Sequence, residues 1–216
     1  MAILQHQFIE FLLENNALTF GEFTLKSGRK SPYFFNLGVF NTGSALTQLG
    51  VFYAETLLKS QFPCDVLFGP AYKGIPLVAA TSIMLAEKFN KNYPYCFNRK
   101  EIKDHGDGGI FVGAELKGNV VMLDDVISAG TTVRETISLL KNTPANLAGI
   151  IIAFDRQEQG LASQLSAVQE TAKNFNIPVQ SIITLSDVIQ YLQSKKEFSV
   201  ALKAIGKYLK IYGISL

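Results

Sequence analysis

The segment Val120-Val-Met-Leu-Asp-Asp-Val-Ile-Ser-Ala-Gly-Thr-Thr132 constrains this chain more than any other. An apolar strand runs into two adjacent carboxylates, Asp124 and Asp125. A short turn follows through Val126, Ile127, Ser128, Ala129 and Gly130, and Thr131 and Thr132 open a helix. The first N–H groups of a helix have no intrahelical partners. With the hydroxyls of Ser128, Thr131 and Thr132 they form an anion site suited to a phosphate monoester. Two carboxylates beside a phosphate would repel it unless they hold hydroxyls or a hydrated metal. A sugar phosphate satisfies both halves. The plain alternative is an N-capped helix after a strand, with Asp125 as a solvated cap; that alternative has no need of the Gly-Thr-Thr sequel. No nearby segment carries a Walker loop or a Gly-x-Gly-x-x-Gly pattern, which argues against those nucleotide-binding classes.

Around this segment the chain alternates. Ile3, Leu4, Phe8, Phe11 and Leu12 lie at helical spacing within 3–14, and a second helix is expected from about Gly43 to Ser60 behind the Asn41-Thr42 capping candidates. Residues 24–40 hold Gly, Ser, Pro and aromatics without a helical period. Short apolar strands are expected at Asp65–Gly69, Tyr95–Asn98, Asn119–Leu123, Ala148–Phe154 and Val179–Ile183. Helices are expected at Ile75–Phe89, Thr131–Lys141, Leu161–Phe175 and in the C-terminal region. Strands apolar on both faces, alternating with helices, mean an α/β fold: a mostly parallel central sheet flanked by helices. Sites in such sheets lie at the carboxyl ends of the strands, and the unusual residues here all follow strands.

Bulk properties narrow the rest. The 216 residues fit one α/β domain with extensions, or at most two small ones, and 48% apolar residues suffice for a substantial core. A net charge of +2 offers no general polyanion-binding surface, so no nucleic-acid partner is expected and any anion site must be built from a few placed cations. Cys64 and Cys96 match no metal spacing and read as buried small hydrophobes. The first residues lack a signal-peptide pattern, and no stretch approaches the roughly 20 apolar residues of a membrane span. A soluble, cytoplasmic protein without a membrane partner is expected.

The Val120–Thr132 segment resembles the motif with which type I phosphoribosyltransferases bind 5-phosphoribosyl 1-pyrophosphate (PRPP). That resemblance implies the 5-phosphate in the loop, the ribose hydroxyls on Asp124 and Asp125, and magnesium accompanying the pyrophosphate, carried at most through water to those acids. Pro70-Ala-Tyr-Lys-Gly74 is similar to the family's pyrophosphate loop, with Tyr72 and Lys73 as PRPP contacts. Taken alone, it is also an ordinary strand–helix turn with a surface lysine.

Asn98-Arg-Lys-Glu-Ile-Lys-Asp-His-Gly-Asp-Gly-Gly109 offers Arg99, Lys100, Lys103 and His105 as donors to an anion, with glycines as hinges. A cationic lid closing over pyrophosphate would expel water and stabilise the leaving group; the mixed charges also suit a solvated loop. The run resembles the catalytic loop of orotate phosphoribosyltransferases. There it is mobile and reaches across a homodimer interface, so that active sites are shared, with Lys103, His105, Asp124 and Asp125 as the catalytic set. Asp107 stands where that family more often has Glu.

Residues 24–36 are similar to the same family's N-terminal hood, in which Lys26, Phe34 and Phe35 correspond to substrate contacts, Lys26 to PRPP as well. Aromatic walls suit a flat pyrimidine and a Lys an anionic one; core packing is the other use of Phe34 and Phe35. Arg156 is the matching candidate for a base carboxylate, which Arg can bind through two parallel hydrogen bonds. Ser128 stands where the family usually has a Thr that contacts the base.

The resemblance implies a single phosphoribosyltransferase domain over 1–216, with a hood from about 1–40 and a PRPP-binding core from about 60–185. It implies transfer of ribose 5-phosphate from PRPP to orotate, giving orotidine 5'-phosphate and pyrophosphate on the way to UMP. A purine phosphoribosyltransferase would keep the loop but has no use for a carboxylate-binding Lys and Arg. A PRPP- or nucleotide-sensing regulator would not need the Lys103–His105 lid.

Overall fold

The structure, a computed structural model, describes residues 2–25, 27–103, 109–160 and 163–214, with Ile102 and Lys103 described by backbone alone. Helix α1 (Ile3–Glu14) leads into a hairpin of β1 (Leu18–Thr24) and β2 (Lys30–Phe35), followed by α2 (Gly43–Ser60). Then come β3 (Val66–Gly69), α3 (Gly74–Phe89), β4 (Tyr95–Lys103), β5 (Gly109–Gly113), β6 (Gly118–Asp124) and α4 (Thr131–Leu140). The chain continues through β7 (Ala145–Asp155), α5 (Ala167–Phe175), β8 (Val179–Thr184), α6 (Leu185–Gln193) and α7 (Ser199–Tyr212).

The central sheet runs β5-β4-β3-β6-β7-β8. All its pairings are parallel except β4 with β5. Strand alternation feeds two cores. Leu67, Val121, Leu123, Ile151 and Ala153 face the side covered by α1, α2, α3, α6 and α7. Val66, Phe68, Val120, Met122, Ile150 and Ile152 face the side covered by α4 and α5. Burying one such side chain contributes roughly 1.5–3 kcal/mol, which is why the central strands are apolar on both faces.

Caps set the helix starts. The Thr42 hydroxyl accepts from the Ala45 amide at 3.3 Å, as the sequence suggests. Helix α5 starts at Ala167, later than its apolar pattern predicts, because Ser166 and Gln169 form a reciprocal capping box there. Residues 24–40 hold a feature that the missing helical period did not announce: the strand β2, paired antiparallel with β1. Pro32 is tolerated because neither strand of a two-stranded sheet is interior.

The site is placed by strand order. From β3 the sheet grows one way into β4 and the other way into β6, β7 and β8. The loops after β3 and β6 therefore face each other across the crevice where the order reverses, the usual ligand position in open α/β sheets.

Candidate active site

The loop after β6 is organised by its own acids. Asp124 and Asp125 are buried, 7% and 8% exposed. The Asp125 amide donates to Asp124 Oδ1 at 2.9 Å and the Val126 amide to Asp125 Oδ1 at 2.8 Å. Beneath them, the fully buried Tyr53 hydroxyl donates to the Asp124 carbonyl at 2.7 Å, tying α2 to the strand end. The Ala153 amide of β7 donates to the Asp125 carbonyl at 3.0 Å.

Gly130 takes a left-handed φ of +66° at the N-cap of α4, with no side-chain cap on the helix start. The first-turn amides of α4 thus remain available to an anion. Ser128, Ala129 and Thr131 are exposed there, Val126 and Thr132 half-buried, and Ile127 packs into the core. Arg134 braces the loop from behind, donating to the Ala129 carbonyl at 2.8 Å and to Thr131 Oγ1 at 3.2 Å.

The loop after β3 folds on itself. A Cβ on Gly69 would run into the Gly74 carbonyl, and one on Gly74 would lie 2.5 Å from the Pro70 ring, so both positions require glycine. Tyr72 is 71% exposed. Lys73 Nζ reaches across the crevice to Asp125 Oδ2 at 2.6 Å. Asn98, on β4, accepts from the Ala71 amide at 3.0 Å and so links this loop to the arm that carries Arg99.

That arm is longer than its apolar part. The expected strand at Tyr95–Asn98 continues to Lys103 and pairs with β5. Arg99 donates to the Gly109 carbonyl at 3.0 Å, and Lys100 pairs with Glu135 of α4 at 3.8 Å. His105, with the rest of 104–108, lies outside the described residues, as do Lys26 and the Lys103 side chain.

Arg156 follows β7. Its Nε and Nη2 donate to Glu158 Oε1 at 3.0 and 2.6 Å, and Nη2 also to Ser31 Oγ at 3.2 Å. Its guanidinium lies 4.3 Å from the Tyr33 ring centre. Ser31, Tyr33 and Phe35 share one face of β2, and Phe35 packs on Phe154 at 5.2 Å. Phe34 points the other way, 42% exposed, and stacks on Phe23 at 5.4 Å. Sequence reasoning did not single out Tyr53, Asn98, Arg134, Ser31 or Glu158. None of them carried a local signal: Glu158 lies two residues beyond Arg156, but Gln157 between them takes a left-handed φ of +51° rather than an extended one.

Burial, reinforced by the charge on Asp125, pushes the Asp124 carboxyl up to about 7. An unfolded Asp titrates near pH 4. Between these values the folded protein keeps a proton that the unfolded chain has released, so Asp124 makes stability fall as pH rises from about 4 to about 7. Melting temperatures of the ligand-free protein should show this fall, and Asp124→Asn should flatten it. Parallel slopes for the two proteins would contradict the assignment.

A mostly parallel sheet with this strand order, an acid pair at one strand end and a Gly-Thr-Thr loop leading into a helix make up the type I phosphoribosyltransferase fold. The profile of the phosphoribosyl transferase domain matches residues 44–181. The orotate phosphoribosyltransferase of Proteus mirabilis is 54% identical over 215 residues, covering 100% of both chains. The crystal structure of the Francisella tularensis orotate phosphoribosyltransferase superposes with a TM-score of 0.88 at 45% identity, over 96% of this chain and 99% of that one. A Mycobacterium tuberculosis orotate phosphoribosyltransferase in complex with PRPP shares the fold, with a TM-score of 0.62 at 19% identity over 86% of this chain and 98% of that one. The chain belongs to the orotate phosphoribosyltransferase family.

Proposed function

We infer that the chain transfers ribose 5-phosphate from PRPP to orotate, giving orotidine 5'-phosphate and pyrophosphate in UMP synthesis. The observation that carries this reading is the acid pair and anion loop after β6, facing Lys73 across the switch point. Full-length similarity to orotate phosphoribosyltransferases supports it. In the reaction a ring nitrogen of orotate bonds to the anomeric carbon, the bond from that carbon to pyrophosphate breaks, and the ring N–H proton is released. The protein has to hold the two reactants in line and neutralise the leaving group.

In this reading the 5-phosphate takes the amides and hydroxyls of Val126, Ile127, Ser128, Ala129, Gly130, Thr131 and Thr132. The ribose hydroxyls take Asp124 and Asp125. Tyr72, Lys73, Arg99, Lys100, Lys103 and His105 serve the pyrophosphate, with Lys26 reaching both substrates. Orotate lies against Ser128 and the Phe34-Phe35 stretch of β2, whose two rings point to opposite faces, with its carboxylate on Arg156.

Magnesium fits this donor set as a guest of the pyrophosphate. The described residues contain no group of three or more His, Cys, Asp or Glu able to hold a metal, and magnesium characteristically keeps waters and shares its ligation with substrate phosphates. When bound, it supplies positive charge to the departing pyrophosphate; Asp124 and Asp125 would hold its water.

We further propose one domain over 1–216, with a hood from about 1–40 and a core from about 60–185. It works as a cytoplasmic homodimer in which the β4–β5 arm completes the partner's site. No helix among the described residues is long and apolar enough to cross a membrane. The test is a panel of orotate, uracil, adenine and hypoxanthine, each offered with PRPP and magnesium; orotate alone should be consumed.

A further inference from the structure

Behind Arg156 lies a buried cluster that the reaction itself does not call for. Glu158 has a side chain only 11% exposed. Its Oε1 receives three donors: Arg156 Nη2 at 2.6 Å, Arg156 Nε at 3.0 Å and the Tyr33 hydroxyl at 2.5 Å. Burial, with the charge of Glu158 acting against that of Arg156, raises the Tyr33 pKa well above its ordinary value, so the hydroxyl stays a donor.

The backbone of Glu158 is pinned as well. It bridges to Gly213, while the Gln159 amide donates to the Tyr212 carbonyl at 2.7 Å and the Ile214 amide to the Gln157 carbonyl at 3.1 Å. Arg29 closes the back, donating to the Gln159 carbonyl at 2.9 Å with its guanidinium 4.7 Å from the Tyr212 ring centre.

The consequence for Arg156 is directional. Nε and Nη2 are committed to Glu158 and Ser31, and the ring of Tyr33 covers one face of the guanidinium. Among the described residues, Nη1 has no acceptor at hydrogen-bond distance; the buried Tyr208 hydroxyl, which acts on both Arg156 and Glu158, belongs to the same cluster. An arginine otherwise has several rotors to freeze before it can present a planar edge to a carboxylate. Here they are frozen beforehand.

We propose that Glu158 is a positioning residue for base recognition: held by Tyr33 and by the C-terminal segment, it locks Arg156 with one edge aimed at the carboxylate of the incoming base. This rests on the reading of Arg156 as the orotate contact. Glu158 also offsets part of Arg156's charge, which by itself would weaken anion binding. The proposal holds that orientation outweighs this loss, so the sign of the effect is itself a test.

Kinetics with orotate and PRPP varied separately decide it. Arg156→Ala should raise KM for orotate about ten- to hundredfold with little change for PRPP. Glu158→Ala should raise KM for orotate roughly five- to thirtyfold, also sparing PRPP. Glu158→Gln, which keeps an oxygen acceptor at the same reach, should recover most of that loss. In an Arg156→Ala background, Glu158→Ala should add nothing to KM for orotate, because the residue it positions is gone.

An equal effect of Glu158→Ala with and without Arg156 overturns the proposal. So does an unchanged or lowered KM for orotate, or a Gln variant no better than Ala. If Arg156→Ala alone leaves KM for orotate unchanged, the reading of the pocket fails first and visibly, and the proposal falls with it. Should Glu158→Ala not fold, Tyr33→Phe removes only the hydroxyl that holds Glu158. It should shift KM for orotate in the same direction by a smaller factor; no shift overturns the proposal equally.

Discussion

Excess chelator should reduce turnover about a hundred- to a thousandfold, and added magnesium should restore it. The acids at the loop after β6 motivate this. Asp124 and Asp125 sit at the end of β6, and the proposed substrate adds a phosphate and a pyrophosphate. Lys73, the cation that reaches across the crevice, already spends its charge on Asp125 at 2.6 Å. If it turns to the pyrophosphate, Asp125 loses its partner. Charge stabilisation by a bound cation of this kind is worth several kcal/mol, and roughly 3–4 kcal/mol corresponds to the stated loss of rate. Initial rates of orotate consumption in chelator and after magnesium addition measure it. Full activity in chelator would mean that the protein balances the charge unaided.

Mixing two inactive variants should produce activity. In the proposed reading Lys103→Ala removes a donor to the leaving group, and losing one such donor costs roughly 10²–10³ in rate. Asp125→Ala damages the loop after β6 and also strips Lys73 of its partner. If the β4–β5 arm serves the partner's site, each mixed dimer has one site with both defects and one with neither. Random exchange in a two-fold dimer makes about half the dimers mixed, so activity should approach about a quarter of wild type. Steady-state rates, with exchange followed by mass, measure it. No recovery despite confirmed exchange would place the arm over its own subunit's loop.

The parts of this fold that sequence reasoning reaches share a physical cause. Strands such as Asn119–Leu123 are buried on both faces, so they read as unbroken apolar runs, and acids at the end of such a run stand out. The Val120–Thr132 segment is local: its amides, hydroxyls and carboxylates lie within a few residues of one another. What stayed hidden has three causes. The strand β2 carries Pro32 and presents alternate residues to solvent, so its mixed composition resembles a loop. The continuation of β4 through Arg99 and Lys103 lies near the sheet edge, where charged residues are stable and leave no apolar trace. The contacts that brace the site join distant parts of the chain: Arg156 to Ser31, Tyr53 to Asp124, Asn98 to Ala71. Composition and periodicity carry no record of such pairings. The strand end that holds Arg156 was legible; the carboxylate and tyrosine that aim it were not, because they matter only once β2 is packed against β7.

The most direct measurement of the proposed transfer is the fall in orotate absorbance on mixing the protein with PRPP and magnesium, read together with pyrophosphate release. Orotate should disappear with one pyrophosphate formed per orotate lost, and uracil, adenine and hypoxanthine should be left unchanged under the same conditions. Consumption of a purine instead, or binding of PRPP with no loss of any base, would contradict the proposed transfer.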